Sequence, residues 1–197
     1  MWRWSLVLIV LLFPGYVAAH PHVWIDAHLE VYISDQGLNR VVNRWVFDEM
    51  FTESILLDYD RNRNREIEPG ENSEIEAGAF SNLRHYGYFT HLTVGSREVP
   101  VNSVEKFRAT VEEGRLVYRF EVPLNVEVRD RWQRIHLGVW DDTYFVEVKY
   151  DSPAAAVYGA RESGVEIDIS LQENPSKSYW GGFITPREIR LAYRRVQ

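Results

Sequence analysis

The residues near the start of the chain that are best suited to chemistry are His20-Pro21-His22. Imidazole nitrogens are common ligands of zinc, nickel, cobalt and copper. If the chain is cleaved before His20, that residue also presents a free α-amine, and three nitrogens lie close together. Because Pro21 has no amide N–H, a square-planar copper or nickel site built from backbone amides cannot form here. A complete site therefore needs side chains from elsewhere in the chain, and the alternative is a solvated tail.

The segment before His20 has the features of a cleavable export signal. Met1-Trp2-Arg3 gives a short positive start, residues 5–13 are apolar, and Val17-Ala18-Ala19 fits a small-residue cleavage site. The apolar run is too short to span a bilayer. We therefore expect residues 1–19 to be a signal peptide and residues 20–197 to form one periplasmic domain with no stable membrane anchor.

The composition excludes several classes of protein. With 197 residues, of which 45% are hydrophobic and 14% aromatic, the chain is long and apolar enough to bury a core. Its formal net charge of -7 disfavours nucleic acids and anionic membrane surfaces as partners and favours cations. Because there is no cysteine, a transition metal must be held by nitrogen and oxygen ligands.

The periodicity of the apolar residues predicts mostly strands, with a helical interruption. Residues 23–33 alternate strictly, and Asp35-Gln36-Gly37 is typical of a hairpin turn before a returning strand at 38–45. A helical period then places Phe47, Met50, Phe51 and Ile55 on one face, with Asp48 at the helix start, and a second helix is predicted around Ile75, Ala79, Leu83 and Tyr86.

Short strands separated by turn residues follow after Gly87. They are predicted at 88–94, 106–111, 116–124, 135–140, 144–150, 165–171 and 189–194. We therefore expect an α+β fold that is mostly β: an antiparallel two-sheet sandwich with an inserted EF-hand-like helix-loop-helix at about 47–87.

The loop between the predicted helices, from Asp60 to Glu71, matches the twelve-residue calcium loop of an EF-hand. Its candidate ligands are Asp60, Asn62, Asn64, the carbonyl of Glu66, Glu68 and Glu71. Arg65 stands where glycine normally permits a left-handed turn, and arginines at 61, 63 and 65 add positive charge. We therefore expect a weak structural calcium site, with Kd in the ~10⁻⁴ to 10⁻³ M range. The alternative is a polar loop held by its own Asn and Asp turns.

Two further positions are candidate ligands of a transition metal. His91 lies in a predicted strand directly after the helical insertion, and Asp141 lies at the tip between two predicted strands. Each also has a purely structural interpretation, since single histidines on strands are common and aspartate is an ordinary turn residue. Asp26 could orient a metal-bound imidazole. The sequence has no nucleophile elbow, phosphate loop, His-Glu-x-x-His or cysteine nucleophile, and we do not expect an enzyme.

Five ordered segments of the chain together resemble the domain of unknown function family 1007. They are His20 to Ala27, Trp45 to Phe51, the Asp60 to Glu71 loop, Tyr88 to His91, and Asp141 to Val146. Proteins of that family are exported, are sometimes labelled periplasmic components of ABC-type transport systems, and often accompany nickel/cobalt-type transporters. The resemblance implies that His20, His22, His91 and Asp141 form one site, because they fall in the matching segments. The remaining histidines, His28, His85 and His136, do not.

Three functional hypotheses follow. The leading one is a periplasmic metal-binding accessory protein for zinc, nickel or cobalt transport or homeostasis, acting beside a membrane transporter. The second is a copper-dependent oxidase or oxygenase that uses His20 as an amine-imidazole chelate. The third is a calcium-stabilised interaction module in which the histidines are incidental.

Overall fold

The structure is a computed structural model that describes residues 21–196, and the predictions for the signal peptide and for His20 lie outside those residues. Ten strands form two five-stranded sheets. The strands are β1 (Val23–Ser34), β2 (Gly37–Phe47), β3 (Thr90–Val94), β4 (Arg97–Val99), β5 (Glu105–Glu112), β6 (Arg115–Glu127), β7 (Gln133–Val139), β8 (Val146–Tyr158), β9 (Val165–Glu173) and β10 (Arg187–Arg195). The predicted class, a mostly β two-sheet sandwich with a helical insertion, is confirmed.

The first sheet has the order β5-β6-β2-β1-β8. The strict alternation predicted for β1 is observed, with one face buried along the whole strand. β1 and β2 form the predicted hairpin, and β6 pairs antiparallel with both β2 and β5. One pairing differs from the all-antiparallel expectation: β8 runs parallel to β1. A parallel partner needs a long crossover connection. Residues 35–145 supply it, so local turn signals could not predict this pairing.

The second sheet has the order β4-β3-β7-β10-β9, and all of its pairings are antiparallel. β4 has only three residues and was not predicted, since so short a strand carries no periodic signal. The inner faces of both sheets contribute to one apolar core. Trp45 lies at its centre, fully buried, with its ring edge-on to Phe120 of the same sheet and 6.2 Å from Phe89, which leads into the other.

The helical segment begins with α1 (Glu49–Tyr59) and α2 (Pro69–Ile75), and continues through a π-helical turn (Glu76–Phe80) into 3-10 turns (Ser81–Phe89). Asp48 caps α1 as predicted. Met50 differs from its predicted inward position, because 61% of it is exposed while Ile55 and Leu56 are buried. The hydroxyl of Thr52 accepts the amide N–H of Leu116 at 3.0 Å, which fastens α1 to β6. None of the helices within residues 21–196 is long and apolar enough to cross a membrane.

Candidate metal-binding sites

His22 lies at the start of β1 and is exposed. Its amide N–H donates to the carbonyl oxygen of Phe145 at 2.9 Å, and its ring lies 5.0 Å from the ring of Phe145. These contacts fix the beginning of the described chain beside the 141–146 turn. His22 and the Asp141 turn, which the sequence placed in one site, are therefore neighbours along the edge where β1 meets β8.

Asp141 is 3% exposed, and its carboxylate is used by the turn that contains it. Its oxygens accept the amide N–H groups of Thr143, Phe145 and Val146 and the hydroxyl of Thr143, at 2.7 to 3.1 Å. A carboxylate with this many donors is well compensated for its burial. The geometry explains Asp141 as the organiser of the turn, and its role as a metal ligand stays a prediction.

His91 lies on the outer face of β3, and one of its ring nitrogens is fixed. Nε2 lies 3.0 Å from the carbonyl oxygen of Trp140. Since a carbonyl oxygen only accepts, Nε2 carries the proton and Nδ1 keeps its lone pair. Burial lowers the pKa of His91, against the opposing effects of that hydrogen bond and of the Asp142 carboxylate. His91 is therefore neutral near pH 7, the form in which imidazole binds metals.

The described residues of the predicted transition-metal site, His22, His91 and Asp141, do not form a complete metal-binding site. Between residues 21 and 196, no three His, Asp or Glu side chains are grouped as a preformed metal site. His20, on which both the amine ligand and the copper-chelate hypothesis depend, is not among the described residues.

A pocket on the outer face of the second sheet contains His91 together with two histidines that the sequence analysis set aside. It has a volume of about 420 Å³, and its lining includes His85, His91, His136, Glu98 and Glu188. His85 is exposed on the 3-10 turns before β3, while His136 lies on β7. The pocket thus brings together three of the six histidines of the chain.

His136 has the orientation expected of a ligand with a supporting carboxylate. Its Nδ1 lies 2.8 Å from Oε1 of Glu188, whose side chain is only 4% exposed. The carboxylate can only accept, so Nδ1 donates and Nε2 is left facing away, with no hydrogen bond inside the 21–196 region. A carboxylate that holds the second nitrogen of an imidazole is a recurrent support of metal-bound histidine.

Glu188 is held ionised in this position. Burial raises its pKa, but hydrogen bonds from Asn174 and Arg190 and the neighbouring His136 outweigh that effect, and the pKa lies below its usual value. Asn174 donates to Oε2 at 2.7 Å, and Arg190 donates to Oε1 at 2.9 Å. The charge of the carboxylate is thus shared among three donors, which also fix its position beneath His136.

The register of the second sheet places His91 and His136 on the same face. Thr93 pairs with His136 and His91 pairs with Gly138, so the two histidines are diagonal neighbours on adjacent strands. Diagonal side chains at roughly 7 to 8 Å are within reach of long or aromatic groups. Sequence reasoning missed His136 because it lies 45 positions beyond His91, and only the pairing of β3 with β7 brings them together.

The Asp60 to Glu71 loop adopts the turn that an EF-hand loop requires. Arg65 has φ of 62°, the left-handed conformation normally assigned to glycine at this position. Asp60 accepts the amide N–H groups of Asn64 and Arg65 at 3.2 and 2.8 Å. The Arg65 guanidinium is directed outward, to the carboxylate of Glu53. The loop therefore accommodates arginine because the backbone keeps the left-handed turn and the guanidinium pairs with a carboxylate outside the loop.

The ligand side chains of the loop meet one another. Asn62 and Asn64 both donate amide N–H groups to Oε1 of Glu68, at 2.9 and 2.7 Å. Glu71, 6% exposed, accepts the amide N–H groups of Arg61 and Glu68. The pKa of Glu68 is lowered to about 2, first through its hydrogen bond with Glu71 and then through the two amides. These contacts are those expected of a polar loop held by its own side chains without metal. They also keep the candidate ligand side chains Asn62, Asn64 and Glu68 in contact with one another.

Comparison with known proteins places the chain among uncharacterised relatives. A family model described as "Protein of unknown function (DUF1007)" matches residues 5–176. An uncharacterised 15.5 kDa protein from the trpE 3' region of Spirochaeta aurantia is 31% identical over 132 residues, covering 67% of this chain and 93% of that protein. An uncharacterised protein of Haemophilus influenzae is 25% identical over 146 residues, covering 73% of this chain and 69% of its own length.

Proposed function

The chain belongs to the DUF1007 family of proteins of unknown function, and we propose that it is a periplasmic accessory protein that binds zinc, nickel or cobalt for a membrane transporter. The observation that carries the proposal is the pair His91 and His136 on one face of the second sheet. Each has one ring nitrogen hydrogen-bonded to a protein oxygen, and both residues line the same pocket. The net charge of -7 supports a cationic cargo.

Two oriented imidazoles form half of a tetrahedral metal site. A site that releases its metal to a partner needs an open position, and three protein ligands with one water are typical of open zinc sites. His85, exposed at the rim of the same pocket, is the proposed third ligand. It lies on 3-10 turns that contain the left-handed residues Gly87 and Tyr88, so metal binding would draw an exposed side chain onto two fixed ones.

Zinc titration by calorimetry of the mature chain and its single variants tests the proposal. His91→Ala and His136→Ala should each weaken binding at least tenfold, a loss of about 1.4 kcal/mol or more. His28→Ala is the matched control, because His28 lies on the first sheet with Nδ1 2.9 Å from the carbonyl of Pro153. Far-UV circular dichroism confirms that the variants remain folded.

The same series separates the outer-face pocket from the site predicted at the chain start. If His22→Ala abolishes binding while His136→Ala has no effect, the metal is held by the N-terminal histidines and the pocket proposal is wrong. If none of His22→Ala, His91→Ala and His136→Ala changes the titration, these histidines are not ligands and the transition-metal function fails.

Calcium binding by the Asp60 to Glu71 loop is a second candidate function. It is supported by the left-handed turn at Arg65 and by the buried carboxylates of Asp60 and Glu71 at the two ends of the loop. The role is structural, since the loop joins α1 and α2, which pack on β6 and β5. Millimolar calcium, in the presence of excess magnesium, should raise the melting temperature.

Glu71→Gln should remove the calcium-dependent increase in melting temperature. The control is Glu76→Gln, an exposed residue beyond the loop. An unchanged melting temperature of the wild-type chain with and without calcium would leave the loop as a metal-free polar turn.

A further inference from the structure

A large cleft lies between the two sheets, away from the helical segment. It has a volume of about 1020 Å³. It opens where β6 ends, at residues 123–127, whereas α1 is fastened near the start of the same strand at Leu116. The histidine pocket shares Leu92 and Val99 with this cleft, but none of the charged or aromatic residues that line the cleft lines the histidine pocket, so the cleft has its own chemistry.

The floor of the cleft is apolar and comes from both sheets. Leu92, Val94 and Val99 contribute from β3 and β4, and Leu124 and Val126 contribute from β6. All five pack against the central core, and Leu92 is 4% exposed. A recessed apolar floor of this size is typical of small-molecule sites, which usually enclose about 300 to 1000 Å³.

The rim of the cleft is strongly basic. Arg97, Arg129, Arg131 and Arg134 line it, with Glu127 as the one acidic lining residue. Arg129 lies 3.9 Å from Glu127, whereas the other three arginines form no ion pair with any residue between 21 and 196. The rim therefore carries four positive charges and one negative charge. Its sign is opposite to that of the chain as a whole, whose net charge is -7.

An exposed indole forms one side of the entrance. Trp132 is 46% exposed and lines the cleft, and the guanidinium of Arg194 lies 4.7 Å from its ring centroid. Tryptophan combines a broad apolar surface with a polar edge and suits the boundary between an apolar interior and water. The cleft is thus lined by aliphatic side chains at its floor, by an indole at one side of its entrance and by guanidinium groups at its rim.

We propose that this cleft binds a single-chain amphiphilic anion, a fatty carboxylate, with its chain between the sheets and its carboxylate at the arginine rim. The guanidinium fork is suited to bidentate binding of a carboxylate. The apolar groups are recessed in a cavity and not spread over a flat surface, which favours capture of a free molecule over attachment to a membrane. This proposal does not depend on the metal-binding proposal. If the cleft does not bind a fatty carboxylate, the proposed metal-binding function is unaffected.

Binding of dodecanoate below its micellar concentration, measured by calorimetry, tests the proposal against two truncated ligands. Dodecanol keeps the chain without the charge, and acetate keeps the charge without the chain. Dodecanoate should bind at least tenfold more tightly than either, and affinity should rise by up to about fourfold for each added methylene. Equal binding of dodecanol would exclude a role for the arginine rim.

Two exposed arginines of the rim and one partly buried residue of the floor are the positions at which variants locate the ligand. The double variant Arg97→Gln with Arg134→Gln should weaken dodecanoate binding at least tenfold, whereas Arg108→Gln, an exposed arginine on β5, should have no effect. Leu124→Trp, which fills the floor, should also weaken binding while the melting temperature shows that the fold persists. Unchanged affinity in both the arginine double variant and Leu124→Trp would overturn the proposal. Tight binding to vesicles of anionic phospholipid, without binding of free dodecanoate, would also overturn it.

Discussion

The indole of Trp140 lies parallel to the imidazole of His91, with ring centroids 3.6 Å apart and an interplanar angle of 4°. The ring occupies this place because residue 138, directly opposite His91 in the sheet, is glycine. A Cβ at position 138 would lie 1.9 Å from Cζ3 of Trp140. The indole Nε1 donates to Asp142 at 2.9 Å, so the stack also connects the histidine pocket with the 141–146 turn.

Gly138→Ala should therefore be strongly destabilising for so small a change. The added methyl group forces the indole off His91, and overpacking of this kind typically costs about 1 to 3 kcal/mol. Urea denaturation measures the loss, and the Trp140 displacement should also weaken metal binding by releasing the His91 ring. Gly70→Ala is the control, since a Cβ there meets no atom within 4 Å. Equal stability of both variants would show that the stack is not held by the glycine.

The stability of the metal-free protein should decrease as the pH falls below about 6.5, and His91 should contribute to this decrease. Because burial lowers the pKa of His91 in the folded state, the unfolded chain, with an ordinary pKa near 6.5, binds its proton first. The contribution begins near that value and grows as the pH falls toward the folded pKa.

His91→Gln removes the titrating group and should reduce the slope of unfolding free energy against pH in the range directly below about 6.5. The measurement is urea unfolding at several pH values with a chelator present. His28→Gln, on the first sheet, serves as the comparison. A slope that is the same in wild type and His91→Gln would contradict the burial argument.

The elements of the fold that could be predicted from the sequence are those determined by residues close together in the chain. The alternation of β1, the Asp35-Gln36-Gly37 turn and the cap at Asp48 all depend on residues within a few positions of one another. The parallel pairing of β1 with β8 depends on residues more than a hundred positions apart. It leaves no periodic or turn signal in either strand.

The same distinction holds for the candidate sites. The EF-hand-like loop is one continuous segment, so its ligand positions could be read directly from their spacing. The histidine pocket is assembled by the register of β3 with β7, and Glu188 reaches His136 only because β10 pairs with β7. Turn chemistry alone explained Asp141 in the sequence, and only the family resemblance suggested that it is a ligand. Its three backbone donors appear only in the folded turn.

Asp48 should contribute more to stability than an ordinary helix cap. Its Oδ1 accepts the amide N–H of Phe51 in the first turn of α1 at 2.9 Å, and its Oδ2 accepts the amide N–H of Trp24 at 2.8 Å. Asp48→Ala loses both acceptors and should cost about 2 kcal/mol, the upper part of the range for cap removal. Asp48→Asn keeps one carbonyl acceptor and should cost about half as much. Thermal unfolding distinguishes them, and a loss below about 0.5 kcal/mol in Asp48→Ala would contradict the double role.

Arg65 should limit the affinity of the loop for calcium through its charge. Its left-handed φ of 62° is already present in the metal-free loop, so the strain of a residue with a Cβ there, roughly 1 kcal/mol, lowers the stability of the fold and is the same with and without calcium. Arg65→Gln removes the charge and should raise the calcium affinity by up to about fivefold, the effect of about 1 kcal/mol expected of an exposed charge. Arg65→Gly should bind calcium as tightly as Arg65→Gln and should also raise the free energy of unfolding by roughly 1 kcal/mol. Calcium titration and urea unfolding measure the two effects separately. If Arg65→Gln binds calcium no better than wild type, the charge does not limit the site, and the hydrogen bonds among Asn62, Asn64 and Glu68 keep the loop in its metal-free form.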